Sequence, residues 1–313
     1  LTQGEHRGYG EAISHRYYGV SMEAMAEALN SVRPLLAERE LDDPLKLWDE
    51  LHPQLEAHPF AHCALDEAAH DLWGKLRGQP VHRLWGLEAR NLPPTNYTIG
   101  IDTIEVMAAK MAELPGWPVY KIKLGTANDL DIVRALRRHT DAALRVDANC
   151  AWTVAETIAN SRAMKELGVE FIEQPLAAED LAGMEAVFRE SALPVIADES
   201  CRVAADVDRC HRRFHGINIK LVKCGGLTPA RRMIARAREL GMKVMVGCMT
   251  ESTVGISAIA QLLPLLDYVD MDGALLLASD IAEGVRIEQG HCRYPDAPGC
   301  GVRLLEPGRE ITA

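Results

Sequence analysis

The sequence predicts an α/β chain whose larger part is a parallel β/α barrel. Two observations carry that prediction. Short β-type runs recur about every 25 residues from Tyr97 onward, each followed by a helix-type stretch. Five of these runs also end in charge: Lys121-Ile122-Lys123, Arg145-Val146-Asp147, Phe171-Ile172-Glu173, Val195-Ile196-Ala197-Asp198 and Ile217-Asn218-Ile219-Lys220. One strand and one helix per repeat of this length is the unit of a barrel, which gathers all its strand ends on one face. A doubly wound open sheet alternates in the same way but spreads its strand ends along a line. The barrel accounts for the recurring charges better.

Taken in order, the chain opens on Leu1 without an initiator Met, and Gly8-Tyr9-Gly10-Glu11-Ala12 reads as the end of a β-hairpin whose first strand is absent. Further N-terminal residues are therefore expected. Residues 21 to 90 are helical: Ser21 is suited to cap a run of good helix formers from Met22, Pro44 to Leu55 repeats the pattern, and Ala61 to Leu76 carries apolar residues at helical spacing until Gly78 and Pro80 stop it. His62 and His70 on this last helix are expected to be packing or surface histidines. Asn91-Leu92-Pro93-Pro94 reads as a linker.

The barrel then runs from Tyr97-Thr98-Ile99 with its helix over 103–114, through helices at 129–139, 153–167, 184–190, 204–212, 228–240 and 253–263. The last two strands are Lys243 to Gly247 and Asp267 to Asp272, making eight. After Asp280 short apolar pieces among Gly and Pro suggest a tail that returns to the N-terminal region.

Composition narrows the function. The formal net charge of −11 excludes nucleic acid as the main partner, because phosphate binding needs a basic surface. No apolar run is long enough for a membrane span. The eight cysteines contain no Cys-x-x-Cys pair and no zinc spacing with histidine, so reduced thiols and a cytoplasmic location are expected. A small-molecule substrate remains, and homo-oligomerisation is left open.

Asp147, Glu173 and Asp198 offer the oxygen ligands of a hard divalent cation such as Mg²⁺, which keeps positions free for water or substrate. The rival role for these acids is pairing with barrel lysines. Lys121 and Lys123 share one strand face, and Lys220 lies four strands further round, across the barrel. Positive charge nearby lowers a lysine's pKa and permits base chemistry. Two such lysines on opposite sides of one carbon can pass a proton across it. Lys223, beyond its strand, is expected to be supporting or exposed.

The set Lys121-Ile122-Lys123, Asp147-Ala148-Asn149, Glu173-Gln174-Pro175, Asp198-Glu199-Ser200 and Asn218-Ile219-Lys220 resembles the muconate-lactonizing-type subgroup of the enolase superfamily, over nearly the whole chain. The resemblance implies a modified (β/α)₇β barrel, residues 93–284, and an α+β capping domain from residues 1–92 with a tail at 285–313. It implies Mg²⁺ on Asp147, Glu173 and Asp198, with Asn149, Gln174 and Glu199 supporting them. Lys123 and Lys220 become the acid/base pair, and Lys121 tunes Lys123 or touches the substrate carboxylate. A flexible N-terminal loop that closes over the substrate is implied as well, and is expected to lie outside this sequence.

Asp270-Met271-Asp272 resembles the Asp-x-Asp motif with which dipeptide epimerases, such as those of the L-Ala-D/L-Glu type, bind a free ammonium. The activity implied is inversion at the C-terminal α-carbon of a dipeptide by 1,1-proton transfer through a metal-stabilised enolate. Both acids are expected inside the barrel and uncompensated, since the first strand supplies only Tyr97, Thr98 and Ile99 near them. On the same scaffold the alternatives are an N-acylamino acid racemase, an o-succinylbenzoate synthase or a cycloisomerase. A non-catalytic, metal-stabilised binding protein has no use for both Lys123 and Lys220.

Overall fold

A computed structural model describes residues 1–37, 39–306 and 311–312. Eight parallel strands run in sequence order: β1 Tyr97–Ile99, β2 Val119–Lys123, β3 Ala143–Asp147, β4 Val169–Glu173, β5 Val195–Ala197, β6 Gly216–Lys220, β7 Lys243–Gly247 and β8 Tyr268–Asp270. A helical connection follows each of the first seven, so the (β/α)₇β expectation holds. The seam between β8 and β1 is closed by a single parallel bridge, Thr95 to Val269, and by side chains: Met271 N–H donates to Thr95 Oγ1 at 2.9 Å and Asn96 Nδ2 to Asp270 Oδ1 at 2.8 Å. Polar side chains here replace a backbone ladder.

Local chemistry sets the element limits. Thr153 and Glu156 form a reciprocal capping box at the start of the helix Val154–Glu166. The barrel interior is plugged at the N-terminal end of its strands. Phe171, Ile196 and Met245 pack there with Tyr268, and the Arg145 guanidinium lies 5.4 and 5.0 Å from the Phe171 and Tyr268 ring centres. That plug is the floor on which the charged layer above it rests.

Among the described residues four helices precede the barrel: α1 Met22–Leu36, capped by Ser21; α2 Pro44–Leu55, capped by Asp43; α3 Pro59–Arg77, ended by Gly78 at φ +64°; and the single turn α4 Val81–Leu84. α3 docks beside β6. Thr228 donates to Asp66 through its N–H (2.8 Å) and Oγ1 (2.7 Å), and Trp48 Nε1 to Gly225 O at 2.9 Å. His62 and His70 are packing residues as expected: His62 stacks on Trp48 with ring centres 4.6 Å apart, and His70 Nδ1 lies 2.9 Å from Asp66 O. From the tail, Cys300 N–H donates to Asp71 Oδ1, and Val302 O accepts from Lys75 Nζ on α3. The hairpin Arg286–Glu288 and His291–Arg293 reaches the barrel instead, where Gly290 O accepts from Thr95 N–H.

Three sequence expectations need correction. The N-terminal hairpin lies at Thr2–Gln3 and His6–Arg7, upstream of residues 8–12. Those residues instead run over α3, with Tyr9 N–H donating to Asp71 and Glu11 N–H to Glu67. The eighth strand stops at Asp270, because Asp272 turns into the short 3₁₀ helix Gly273–Leu276. Among the helices, the expected 204–212 shortens to Asp206–Cys210.

Candidate active site

Strand register brings the expected residues to one level. Lys123 stands opposite Asp147, Asp147 opposite Glu173, Lys220 opposite Gly247, and Gly247 opposite Asp270. Asp198 follows β5 directly. Lys121, Lys123, Lys220 and Asp270 line a cavity of about 440 Å³ at the C-terminal ends of the strands, the end where barrel loops converge, and Asp147, Glu173 and Asp198 lie buried behind those lysines.

The charged layer is dense and buried. Lys121, 1% exposed, lies 2.8 Å from Glu173 Oε2, 2.9 Å from Asp270 Oδ2 and 3.1 Å from Asp147 Oδ2. Lys123 reaches Asp147 Oδ2 at 2.7 Å. Lys220 reaches Asp198 Oδ2 at 2.8 Å, and Lys223 reaches Asp198 Oδ1 at 2.6 Å. Asn218 Nδ2 donates to Glu173 Oε1 at 2.8 Å. The acids therefore do pair with barrel lysines, and this does not conflict with a cation role: a buried carboxylate needs opposite charge in either state.

Burial alone would raise Asp147 and Asp198, but Lys123 and Lys121 outweigh it for Asp147, and Lys220 and Lys223 for Asp198. Both carboxyls are held below their usual range. Glu173 goes the other way, raised by burial and then by Asp147. Lys220 corrects the sequence reading. Burial and Lys121 lower it, yet Asp198 at 2.8 Å outweighs them and holds its ammonium above the ordinary lysine value. Lys121 is held up in the same way, by Asp270, Glu173 and Asp147 against burial.

The donor set fits a hard cation. Three fully buried carboxylates come from successive strand ends, and Glu173 Oε2 receives no hydrogen bond, since Lys121 approaches it outside hydrogen-bond geometry. Two of their expected neighbours, Asn149 and Gln174, touch them. Asn149 N–H donates to Asp147 Oδ1 at 3.0 Å, and Gln174 Oε1 accepts from Asp198 N–H at 2.9 Å and Ser200 N–H at 3.1 Å. Asn149 (φ +44°) and Gln174 (φ +33°) hold left-handed backbone to do so. Glu199 is half-buried, its carboxyl pushed up to about 7 by burial and then by Asp198.

Asp270 and Asp272 are both buried, but only one is uncompensated. Asp270 is bonded to Lys121 and Asn96, and these hold its carboxyl below the usual range despite burial. Asp272 accepts from Thr98 N–H at 2.6 Å and, among the described residues, faces no cation; burial and then Asp270 push it up to about 8. The residue that sequence reasoning missed on the first strand was Asn96, one position before the run Tyr97-Thr98-Ile99. Cys248 was missed too: among the described residues, the group whose potential ligand atoms all lie within 4.8 Å of one another is Cys248, Asp270 and Asp272. Lys223 is 1% exposed, so its surface reading fails and its supporting one holds. His15, Tyr17 and Tyr18 of the N-terminal segment form part of the cavity's outer wall.

The Enolase C-terminal domain-like family profile matches residues 104–307, two-thirds of the chain and all but the first barrel strand. This chain belongs to that family. Within it, the chain is 57% identical over 305 residues to the L-Ala-D/L-amino acid epimerase of Maribacter sp., covering 97% of this chain and 90% of the relative. It superposes on the dipeptide epimerase from Methylococcus capsulatus complexed with Mg and the dipeptide L-Arg-D-Lys with a TM-score of 0.86, at 35% identity over 94% of this chain and 87% of the other. The dipeptide epimerase from Cytophaga hutchinsonii complexed with Mg and D-Ala-L-Val gives a TM-score of 0.91 at 25% identity, over 98% and 88% of the two chains. Barrel, charged layer and family thus agree.

Proposed function

We propose that the chain is a Mg²⁺-dependent epimerase of dipeptides that inverts the α-carbon of the C-terminal residue. The observation that carries this reading is the pair Lys123 and Lys220. They end β2 and β6, four strands apart in an eight-stranded barrel, and so face each other across the cavity. Asp272, the buried acid that faces no cation, closes the third side and suits a dipeptide ammonium. Relatives named L-Ala-D/L-amino acid epimerase, at 57% identity, and dipeptide epimerase, at 35%, support the substrate class.

In this reading Asp147, Glu173 and Asp198 hold Mg²⁺, which supplies positive charge beside the substrate carboxylate where negative charge grows as the α-proton leaves. Asp272 anchors the ammonium, which fixes the α-carbon between the lysines. With a cation on their carboxylate partners, one lysine would stand neutral and take the proton from one face while the other, an ammonium, returns one to the opposite face; each contributes on the order of 10²–10⁴-fold. Lys121 stays an ammonium beneath the reacting carbon, bound to three carboxylates, and its charge opposes build-up of negative potential in the pocket. Residues 93–284 are the catalytic barrel, and residues 1–92, joined by the tail around Cys300 and Val302, form its cap, while the tail hairpin packs on the barrel. The eight unpaired cysteines support a cytoplasmic location, and among the described residues no helix is long and apolar enough to cross a membrane.

The test is incubation with a dipeptide library in D₂O, read by mass spectrometry and chiral analysis of the hydrolysed products. One deuterium and an inverted centre at the C-terminal residue are expected. Exchange at the N-terminal residue, or turnover only of N-acylated amino acids, refutes the assignment.

A further inference from the structure

The N-terminal segment is hydrogen-bonded to the barrel through Glu11, and Tyr18 further along it packs under Arg202 at 5.0 Å. Gly8 and Gly10 lay this segment flush on α3: a Cβ at either would stand 2.1 Å from Ala68 O and 2.0 Å from Ala64 O. Glu11 follows, and its N–H donates to Glu67 Oε2 at 2.9 Å. Its carboxylate accepts from Ser252 N–H at 3.0 and 3.1 Å, from Ser252 Oγ, and from Gly255 N–H at 3.1 Å. Glu11 therefore joins α3 to the first turn of the barrel helix Thr253–Ala260, where an anion is favoured by free N–H groups and the helix dipole.

Two walls of the substrate cavity flank this joint. His15, Tyr17 and Tyr18 come a few residues after Glu11; Cys248, Met249 and Thr250 come just before Ser252. The two outer aromatic rings pack edge to face, centres 4.9 Å apart, and Tyr18 packs on Phe60 of α3 at 5.8 Å. Beneath the joint lie two further acids, Glu67 and Glu251, both buried, with Glu251 Oε2 unpartnered. Burial raises both carboxyls, Glu251 to about 8, and the charge of Glu11 adds to this; Lys220 is the cation that lowers Glu251. Cys63 Sγ bonds Glu67 Oε1 at 3.3 Å. Both carboxyls are thus pushed toward the neutral form, and it is the Glu11 carboxylate that makes the connection.

The substrate group facing the outer wall follows from the α-carbon's four substituents. Its proton points to a lysine, its carboxylate to the metal acids, and its nitrogen toward Asp272. Lys121 and the barrel plug occupy the floor. The side chain of the inverted residue is left facing the mouth, where Tyr17 and Tyr18 stand.

We propose that Glu11 is a positioning residue for substrate binding: by tying α3 to the loop after β7 it holds the His15–Tyr18 wall over the side chain of the inverted residue. This rests on the dipeptide reading. The experiment compares Glu11→Ala and Glu11→Gln with wild type in steady-state epimerisation of L-Ala-L-Phe and L-Ala-L-Ala, together with amide hydrogen exchange. The expected result is a KM for L-Ala-L-Phe raised about tenfold in Glu11→Ala, as misplacing a remote support can do. KM for L-Ala-L-Ala should rise less, and kcat should stay within about twofold for both. Glu11→Gln keeps one acceptor oxygen and should recover part of the loss. Exchange should quicken over residues 13–20 and 248–255 and stay unchanged in α3.

An unchanged KM for both dipeptides, an equal rise for both, or a kcat loss at constant KM overturns the proposal. Should Glu11→Ala fail to fold, Glu11→Gln decides by the same criteria. If wild type turns over neither dipeptide, the functional reading fails on its own. The exchange pattern in Glu11→Gln then decides the tie, supporting it if both segments open and overturning it if neither does.

Discussion

Replacing Asp272 by Asn should weaken substrate binding and stabilise the free protein, two effects of opposite sign from one atom pair. Asp272 is 2% exposed, faces no cation, and is pushed up to about 8 by burial and by Asp270. It is therefore mostly protonated in the free protein at pH 7. A dipeptide ammonium must displace that proton, so affinity should rise with pH. With a pKa near 8, the ionised fraction climbs about fivefold from pH 7 to pH 8, but the α-amino group, with its own pKa of about 7.7–8.0, loses about half of its charge over the same interval. KM should therefore fall about two- to threefold between pH 7 and pH 8 and gain nothing above it. A hydrogen bond to a charged group contributes about 1.5–3 kcal/mol, so Asp272→Asn should raise KM at pH 8 by about 10- to 150-fold and flatten its pH dependence.

Stability runs the other way. An acid whose folded pKa is raised keeps its full contribution below about pH 4 and loses it as pH climbs toward 8, at about 1.4 kcal/mol per unit. Asn cannot ionise and its oxygen still accepts from Thr98 N–H, so the variant should be more stable than wild type by at least about 2 kcal/mol at pH 9. The assays are steady-state kinetics from pH 6 to 9 and urea unfolding at pH 5 and pH 9. An unchanged KM for the free dipeptide at pH 8, or equal turnover of its N-acetylated form in wild type, refutes the ammonium site.

Chelation should abolish activity and Mg²⁺ should restore it, with Asp198→Asn losing cation affinity in titration calorimetry; full activity in excess chelator sinks the ligand assignment. Lys123→Ala and Lys220→Ala should each lose epimerisation by on the order of 10²–10⁴-fold. Each should still exchange the α-proton of the one stereoisomer that its surviving lysine faces, as read in D₂O, and normal epimerisation by Lys220→Ala rules out two bases. Gly226→Ala should cost about 2–4 kcal/mol in chemical denaturation, because φ is +116° and the new Cβ would stand 2.4 Å from the Asp66 carboxylate that binds Thr228. A loss under about 0.5 kcal/mol would mean that this junction relaxes freely.

How far the chain is legible without coordinates depends on the range of the interaction. Strand alternation and a repeat near 25 residues are local, and they placed Lys121, Lys123, Asp147, Glu173 and Lys220 on their strand ends, in register. The cap at Ser21 is local as well. What tertiary structure decided was the charge state of those residues. Asp270 proved neutralised by Lys121, 149 positions away, which leaves Asp272 as the acid of that pair facing no cation. Lys220 is held above its ordinary value by Asp198 rather than lowered by its neighbours. Lys223, read as supporting or exposed, is buried on the Asp198 carboxylate. Glu11, which reads as part of a hairpin, binds a helix 241 positions on. Sequence spacing fixes which face a side chain takes, because the backbone period is local. Its pKa and partner depend on which distant charges burial brings within about 3 Å, and only the closed barrel with its cap specifies that.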